Sequence, residues 1–214
     1  MKLDDSPRNS VRAAGLSSSA EDSEAECDKI LFTGDRMYHH RLARINYTTY
    51  DVRRAQDVIH PSTSHCDVML LSNEEDSTAS SNHHFWYCRV LGLYHVNVVY
   101  TGSGMLNHVP RRFYFLWVRW FDYVGRRSLT WRDCNLDSIR FPPTSNQDAF
   151  GFVDPRDVLR GCHVIPAFVD GKVHRDGVGI SRCAADSQDW CRYYVNRYAQ
   201  LIFTEFAKVI NLHF

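Results

Sequence analysis

The run Phe113-Tyr-Phe-Leu-Trp-Val-Arg-Trp-Phe121 decides the fold class of this chain of 214 residues. Aromatic and β-branched residues dominate it, which favours a β-strand. Successive side chains of a strand point to opposite faces of its sheet. One face then carries Phe113, Phe115, Trp117, Arg119 and Phe121, and the other carries Tyr114, Leu116, Val118 and Trp120. Because both faces are apolar, we expect this strand to lie in the centre of a sheet.

Segments of the same type, bounded by polar or Gly/Pro clusters, follow each other along the chain. They predict strands at Leu42–Tyr50, Asp67–Leu71, Phe85–Tyr100 and Phe113–Tyr123, and shorter extended segments at Leu129–Trp131, Ser138–Phe141, Cys162–Phe168 and Tyr193–Val195. Between them, Asp154 to Gly161 carries an N-cap Asp, a following Pro and a final Gly, which predicts one short helix. We therefore expect a mostly β fold, an antiparallel, partly open β-barrel with a short helix and a C-terminal helix.

Composition divides the chain into three parts. Residues 1–33 are predicted to be a disordered, acidic and Ser-rich leader, 34–197 the β-barrel-like domain, and 198–214 an amphipathic helix with apolar residues at helical spacing. Up to Asp28 the leader has seven acidic and three basic residues, whereas the whole chain has 25 of each. The remainder therefore carries a net charge of +4, so formal neutrality does not exclude a surface that binds phosphate.

Two classes of protein are disfavoured by simple counts. The longest apolar runs are far below the roughly 20 residues that a membrane-spanning helix needs, and Met1–Ala20 lacks the apolar core of a secretory signal. The seven cysteines are odd in number and include no Cys-x-x-Cys, so we interpret them as reduced thiols of a cytoplasmic or nuclear protein. We expect no membrane partner.

Neither a catalytic motif nor a metal motif is found. There is no nucleophile elbow, Walker loop, dinucleotide fingerprint or His-Glu-x-x-His, so we expect no enzyme and no cofactor. The best zinc candidates are His60, His65, Cys66, His83, His84 and Cys88. Their spacing fits none of the usual paired zinc knuckles. We favour small buried cysteines and loop histidines at these positions, and no metal.

Arginine dominates the basic residues, since only four of the 25 are lysine. Guanidinium groups bind phosphate bidentately and stack on aromatic rings, so arginine interleaved with Tyr and Trp is typical of a nucleic-acid surface. The candidate phosphate ligands are Arg53, Arg54, Arg111, Arg112, Arg126 and Arg127, with Tyr47, Tyr50 or Trp131 stacking beside them. Ordinary surface charges and internal ion pairs, for example between Asp51 and the adjacent Arg53 and Arg54, remain open as alternatives.

The aromatic residues allow two interpretations. Trp86, Tyr87, Tyr94, Tyr100, Trp117, Trp120, Phe121 and Trp131 could line a peptide groove or a methyl-lysine cage, in which ring faces attract a cation. In a mostly β domain of this size, however, aromatic residues usually fill the interior. We therefore assign most of them to the core.

Four phrases of the sequence carry a resemblance to a known group. They are Arg44–Arg54, His83–Asn97, Phe115–Phe121, and Ala149–Pro155 with Arg160–Pro166. The chain resembles a multi-copy, DNA-transposon-associated protein group of mushroom-forming (basidiomycete) fungi over roughly residues 34 to 198. After Arg197 it departs from that group, because Gln200–Phe203 is apolar where the group is polar and acidic. A truncated or degenerate copy is the corresponding expectation.

Two looser likenesses agree with this interpretation. The order of the Trp-Tyr-x-Arg-Val and Leu-Trp-Val-Arg-Trp-Phe strands is similar to bromo-adjacent homology barrels. The Phe-Val-Asp-Pro segment adds a likeness to the C-terminal accessory domain of CACTA-type transposases. These resemblances imply a non-catalytic β-barrel module, nuclear or cytoplasmic, that contacts DNA or chromatin. The alternative is a protein-interaction module that uses a sheet edge and aromatic surface to bind a transposase or another copy of itself.

Overall fold

The longest strand of the molecule, β5 (Phe85–Tyr100), organises the largest sheet. The computed structural model describes residues 29–48, 54–72, 84–102, 108–126, 136–196 and 212–213. Around β5, these residues form β1 (Ile30–His40), β2 (Ala43–Thr48), β3 (Arg54–Ile59), β4 (Asp67–Leu71), β6 (Arg111–Trp120), β7 (Asp122–Arg126), β8 (Asp137–Arg140), β9 (Phe150–Val153), β10 (Val158–Gly161), β11 (Val164–Pro166), β12 (Tyr193–Val195) and β13 (Leu212–His213). The described helices are three-residue 3₁₀ turns at Gln147–Ala149, Pro155–Asp157, Phe168–Asp170 and Asp186–Gln188.

Antiparallel pairing builds three sheets from these strands. The main sheet has the order β10-β4-β5-β6-β9, and β1 also pairs with β5. Because β6 follows one edge of β5 from Cys88 to Val98, β4 and β1 succeed each other along the opposite edge. A second sheet has the order β11-β12-β8-β7, and a third has the order β13-β2-β3.

The main sheet is curled. Its outermost strands β9 and β10 would lie about 19 Å apart in a flat sheet of five strands. Only Asp154 and the 3₁₀ turn Pro155–Asp157 connect them, and such a turn rises about 2 Å per residue. Val153 and Val158, from the two outer strands, accordingly belong to one buried cluster.

Two hydrophobic cores lie on opposite faces of the main sheet. The first joins its inner face to the third sheet through Ala43, Ile45 and Ile59. The second packs the second sheet onto one half of the outer face, where Tyr87 meets Ile139, Tyr193 and Val195. The other half of the outer face, formed by the C-terminal part of β5 and the N-terminal part of β6, lies beyond this second core.

Most predicted strands are confirmed. Asp67–Leu71, Phe85–Tyr100 and Tyr193–Val195 have the predicted bounds, and β6 lies between β5 and β9, as expected for a strand with two apolar faces. The segment predicted as Phe113–Tyr123 is divided at Phe121, where β6 ends before β7 begins. Leu129–Trp131 lies outside the described residues.

The short helix predicted over Asp154–Gly161 is wrong beyond its first turn. The Asp154 carboxylate accepts a hydrogen bond from Arg156 N, so the cap is present, but the helix ends at Asp157. Val158–Gly161 instead form β10, which pairs with β4 and buries Val158 completely. One helical turn gains little by itself, whereas a β-branched residue packs well in a sheet.

The barrel and the C-terminal helix are not confirmed. None of the three sheets closes on itself within the described residues, so the molecule is mostly β with open antiparallel sheets. Of the helix predicted over 198–214 the structure describes only Leu212–His213, which form β13 and pair with Ile45 and Arg44 of β2. Leucine and histidine can adopt either the helical or the extended conformation. Here the edge of β2 offers hydrogen-bond partners to the backbone of these two residues, and they pair with it as a strand.

Besides β10 and β13, the strands β1, β3 and β9 were not predicted. β1 begins at Ile30, within the last residues assigned to the leader, and contains the polar sequence Thr33-Gly-Asp-Arg36, which is typical of a turn. In the structure this sequence is a bulge, because four residues lie opposite Asn97 alone. β3 pairs with β2 over its whole length. Residues 1–28 lie outside the described part of the chain.

Candidate ligand-binding surface

The predicted phosphate ligands Arg111 and Arg112 open β6 and are both exposed. Consecutive strand residues point to opposite faces, so the two guanidinium groups do not share one surface. Arg112 lies on the inner side, where its Nε donates to Asn97 Oδ1 at 3.3 Å and an Nη donates to the Tyr114 hydroxyl at 3.4 Å. Arg111 lies on the outer side, two residues before Phe113.

Arg54 and Tyr47 belong to the third sheet. Arg54 is exposed at the start of β3, opposite Thr48. The Arg160 guanidinium covers the Tyr47 ring at 3.7 Å from its centroid, and Arg160 itself is bound to Asp57. One face of the Tyr47 ring is therefore occupied by its own chain. Burial, with the Asp57 charge as a smaller cause, raises the pKa of the Tyr47 hydroxyl.

The remaining predicted site residues cannot be placed together. Arg53, Tyr50, Arg127 and Trp131 lie outside the described residues, and of Arg126 only the backbone is described, as the last residue of β7. The arginine-cluster hypothesis is thus represented in the structure by Arg54, Arg111 and Arg112, which lie on different surfaces.

Sequence reasoning missed an exposed aromatic surface on the outer side of the main sheet. We call it the aromatic face, and define it by Phe32 and Met37 of β1, Tyr94 and Val96 of β5, Phe113, Phe115 and Trp117 of β6, and Phe150 and Phe152 of β9. The rings contact each other across the strands: Tyr94 stacks on Phe115 at 5.6 Å, Phe152 meets Phe115 edge-on at 5.6 Å, and Trp117 stacks on Phe150 at 6.3 Å. The cross-strand register thus arranges these rings as one platform.

Large apolar side chains on this platform face solvent. The exposed fractions are 53% for Phe32, 59% for Met37, 55% for Phe113 and 51% for Phe152, and no described element packs over them. Contiguous apolar patches of this kind usually mark interaction sites. The signal was present in the sequence, since Phe113, Phe115 and Trp117 alternate along one strand, but alternation cannot say which of two apolar faces is covered.

The aromatic face contains a groove with charged residues on one wall. A cavity of about 490 Å³ is lined by Phe32, Met37, Val96, Phe115, Phe152 and, from the bulge of β1, Asp35 and Arg36. Gly34 and Asp35 both have positive φ, at 67° and 48°. Two left-handed residues in succession turn the chain sharply, and this turn brings Asp35 and Arg36 onto the groove.

Arginine has a structural role on the covered half of the same sheet face. Arg119 donates an Nη hydrogen bond to Asp189 Oδ2 at 2.7 Å, with side chains only 3% and 5% exposed. The Arg119 guanidinium also lies 4.0 Å from the Phe141 ring centroid. Burial raises the pKa of Asp189 in spite of the nearby Arg119. Arg119 therefore stabilises the contact between sheets and is closed to ligands.

A second cleft adjoins this ion pair. It measures about 490 Å³ and is lined by Arg119, Arg140, Phe141, Pro142, Pro143, Thr144, Ser145, Val173, His174, Ile180, Asp186, Asp189, Trp190 and Cys191. Its two arginines are matched by two aspartates. Asp186 accepts hydrogen bonds from the backbone N–H groups of Ile180 and Ser181, which oppose the effect of burial and lower its pKa. The cleft is thus electrostatically balanced by its own residues.

The cysteine and histidine candidates do not form a metal centre in the described part of the chain. Within it, no group of three or more His, Cys, Asp or Glu side chains has ligand geometry. Cys66 and Cys88 are buried, and burial raises the pKa of the Cys66 thiol to about 11 and that of Cys88 well above its ordinary value. His60, His65 and His84 lie on loops, and His83 lies outside the described residues.

No protein-family model, curated protein or solved structure matches this chain. Among the described residues, no helix has the length and apolarity required to cross a membrane. The aromatic face with Arg36 and Arg111 beside it is the strongest candidate for a ligand-binding surface.

Proposed function

We propose that this chain is a non-catalytic nucleic-acid-binding module, nuclear or cytoplasmic, of a fungal transposon-associated protein. One observation carries the proposal: exposed aromatic side chains share a sheet face with the guanidinium groups of Arg36 and Arg111. Every base offers a π-face to an aromatic ring, and arginine neutralises the adjoining phosphate. The described cysteines are all free thiols, in keeping with a reducing compartment.

Charge supports the same ligand class. Outside the acidic segment up to Asp28 the chain carries a net charge of +4. Arg36 and Arg111 are exposed, and no described side chain forms a salt bridge with either of them. A guanidinium without a carboxylate partner among the described residues can bind a phosphate, and the resulting counterion release makes binding dependent on salt.

The test is a salt titration of binding by fluorescence anisotropy. The probes are a labelled oligodeoxythymidylate of about 16 nucleotides and a random-sequence duplex of equal length. Binding should be strongest at low salt, and Arg36→Gln and Arg111→Gln should each reduce the slope of log K against log salt concentration by about 0.7 to 0.9. Arg175→Gln, at an exposed turn away from the aromatic face, is the matched control. Absence of binding to both probes at low salt would refute the proposal.

A second candidate function is self-association through β1. This strand pairs with β5 only, among the described residues, and its exposed residues include Leu31, Phe32, Met37 and Tyr38. An unpaired apolar edge can accept a strand from a second copy or from a transposase. Light scattering over a range of concentrations tests this. Dimerisation that is abolished by Met37→Lys, with nucleic-acid binding absent, would favour this second function.

A further inference from the structure

We infer that the aromatic face binds single-stranded nucleic acid in preference to duplex, with unpaired bases on Phe113 and Phe152 and one base in the groove beside Arg36. This inference rests on the proposed function and specifies the ligand of the same surface. It requires that the bases are unstacked, that each base lies flat on an apolar side chain, and that a phosphate lies close to an arginine.

The spacing of the rings requires unstacked bases. Side chains on one face of a strand repeat at about 6.8 Å, because each residue rises about 3.4 Å. Stacked bases of a duplex also rise about 3.4 Å, so successive rings of Phe113, Phe115 and Trp117 match every second base of a stack. Consecutive bases that occupy neighbouring rings must therefore move from about 3.4 Å to about 6.8 Å apart, which paired and stacked bases resist.

The identity of the exposed side chains favours stacking over reading of base edges. The groove is lined mainly by Phe32, Met37, Val96, Phe115 and Phe152, which offer no hydrogen bonds. Its volume of about 490 Å³ lies within the range of small-molecule pockets, about 300 to 1,000 Å³, and is enough for one base. A duplex presents sugars and phosphates to such a surface, and would leave Phe113 and Phe152 in contact with charged groups.

The arginines are placed for the backbone of such a strand. Arg36 lies on the wall of the groove, and Arg111 lies two residues before Phe113 on the same face of β6. Arg36 lies opposite Asn97 and Arg111 opposite Val98, so a strand that crosses from the groove to Phe113 passes two cations at this end of the aromatic face. The described residues that line the groove include one opposing charge, Asp35.

The experiment measures the affinities of the oligodeoxythymidylate and the duplex at the same low salt. We expect the single strand to bind at least about tenfold more tightly, and Phe113→Ala and Phe152→Ala each to weaken it by about tenfold while changing duplex binding by less than about twofold. Phe168→Ala is the matched control, because this ring is 67% exposed in a separate 3₁₀ turn. Phe152 and Phe168 each also meet another ring edge-on, so thermal unfolding must show that all three variants remain folded at the temperature of the assay.

The outcomes separate the inference from the proposed function. Equal affinity for the duplex with preserved dependence on Arg36 and Arg111 would overturn the inference and leave nucleic-acid binding intact. Unchanged single-strand affinity in both phenylalanine variants would overturn it as well. If neither probe binds at low salt, the proposed function fails together with the inference. Photo-crosslinking of an oligonucleotide that contains 5-iodouracil gives an independent readout, since cross-links should fall in peptides that contain Phe113 or Phe152.

Discussion

The side chain of Arg36 reaches the groove because two residues before it adopt left-handed backbone conformations. Glycine adopts positive φ without strain, and aspartate is among the residues that tolerate it best. Gly34 and Asp35 thus make a bulge possible where a β-branched residue would be strained. A turn-like sequence inside a strand here creates a wall of the proposed binding site.

A pair of histidines on the inner side of β5 predicts pH-dependent stability. His40 Nε2 and His95 Nδ1 are 2.6 Å apart, His95 stacks on Tyr38, and Tyr114, His39 and Arg112 are the neighbouring ring or charged groups. Burial, with the charges of Arg112 and of the neighbouring histidines as further causes, lowers the pKa of both His40 and His95 from 6.5. The unfolded chain then binds more protons than the folded one.

The direction in which stability changes with pH follows from this difference in proton binding. A depressed histidine pKa stabilises the fold above the ordinary value of 6.5, and this contribution is lost as pH falls through 6.5 and the lower folded-state pKa. We expect the urea midpoint to decrease between about pH 8 and about pH 5, and His95→Gln to flatten part of this decrease. His163→Gln, at an exposed histidine after β10, is the control. An equal pH dependence in His95→Gln and the original protein would contradict the prediction.

At the scale of elements, Asp57 connects the third sheet to the main sheet. Its Oδ2 accepts hydrogen bonds from Arg160 Nε and from Gly161 N, both at 3.0 Å, and Arg160 covers Tyr47. This joins β3 to β10, although the two strands lie about 100 residues apart in sequence. The contact therefore stabilises the non-local packing of two elements.

Removal of this connection should destabilise the fold by a predictable amount. Asp57→Ala should lower the free energy of unfolding by about 2 kcal/mol, because Arg160 keeps its charge in a mostly buried position and Gly161 N loses its acceptor. Asp170→Ala is the matched control, since the Arg192–Asp170 pair is more exposed and should contribute less than about 1 kcal/mol. Urea denaturation measures both. A loss of less than about 1 kcal/mol in Asp57→Ala would contradict the prediction.

The same elements show which strands the sequence pattern predicts correctly and which it does not. Alternating aromatic and β-branched residues predicted β4, β5 and β12 with their observed bounds, because strand propensity and burial agree there. They failed at β1, where a turn-like sequence forms a bulge, and at β10, where the edge of β4 overrides a helix signal. The aromatic face could not be predicted, since coverage of Phe113 or Arg119 depends on where the second sheet packs.

The arginines show why the ligand-binding surface could not be predicted from the sequence. Arg89, Arg119 and Arg160 bind Asp67, Asp189 and Asp57 within the fold, whereas Arg36 and Arg111 form no described salt bridge. The residue type is the same in both groups. What distinguishes them is the distance to a carboxylate, which only the folded chain defines.

At the scale of the whole molecule, formal neutrality is the sum of two unequal parts. The segment up to Asp28 has a net charge of −4 and residues 29–214 a net charge of +4. The acidic segment joins the described structure at Lys29, whose carbonyl accepts hydrogen bonds from Thr101, directly before β1. The acidic residues up to Asp28 therefore directly precede, in sequence, the strand that contributes Phe32 and Arg36 to the aromatic face.

This tether predicts competition with nucleic acid in the intact chain. Replacement of Glu21, Asp22, Glu24, Glu26 and Asp28 by Gln or Asn should strengthen binding of the oligodeoxythymidylate severalfold at low salt, because tethered carboxylates repel phosphate and act at high effective concentration on Arg36 and Arg111. The gain should disappear at about 1 M salt, where the Debye length is about 3 Å. Replacement of Ser17, Ser18 and Ser19 by Ala is the control, since it changes the same segment without changing its charge. Equal single-strand affinity of the neutralised and original chains at low salt would show that this segment does not regulate the aromatic face.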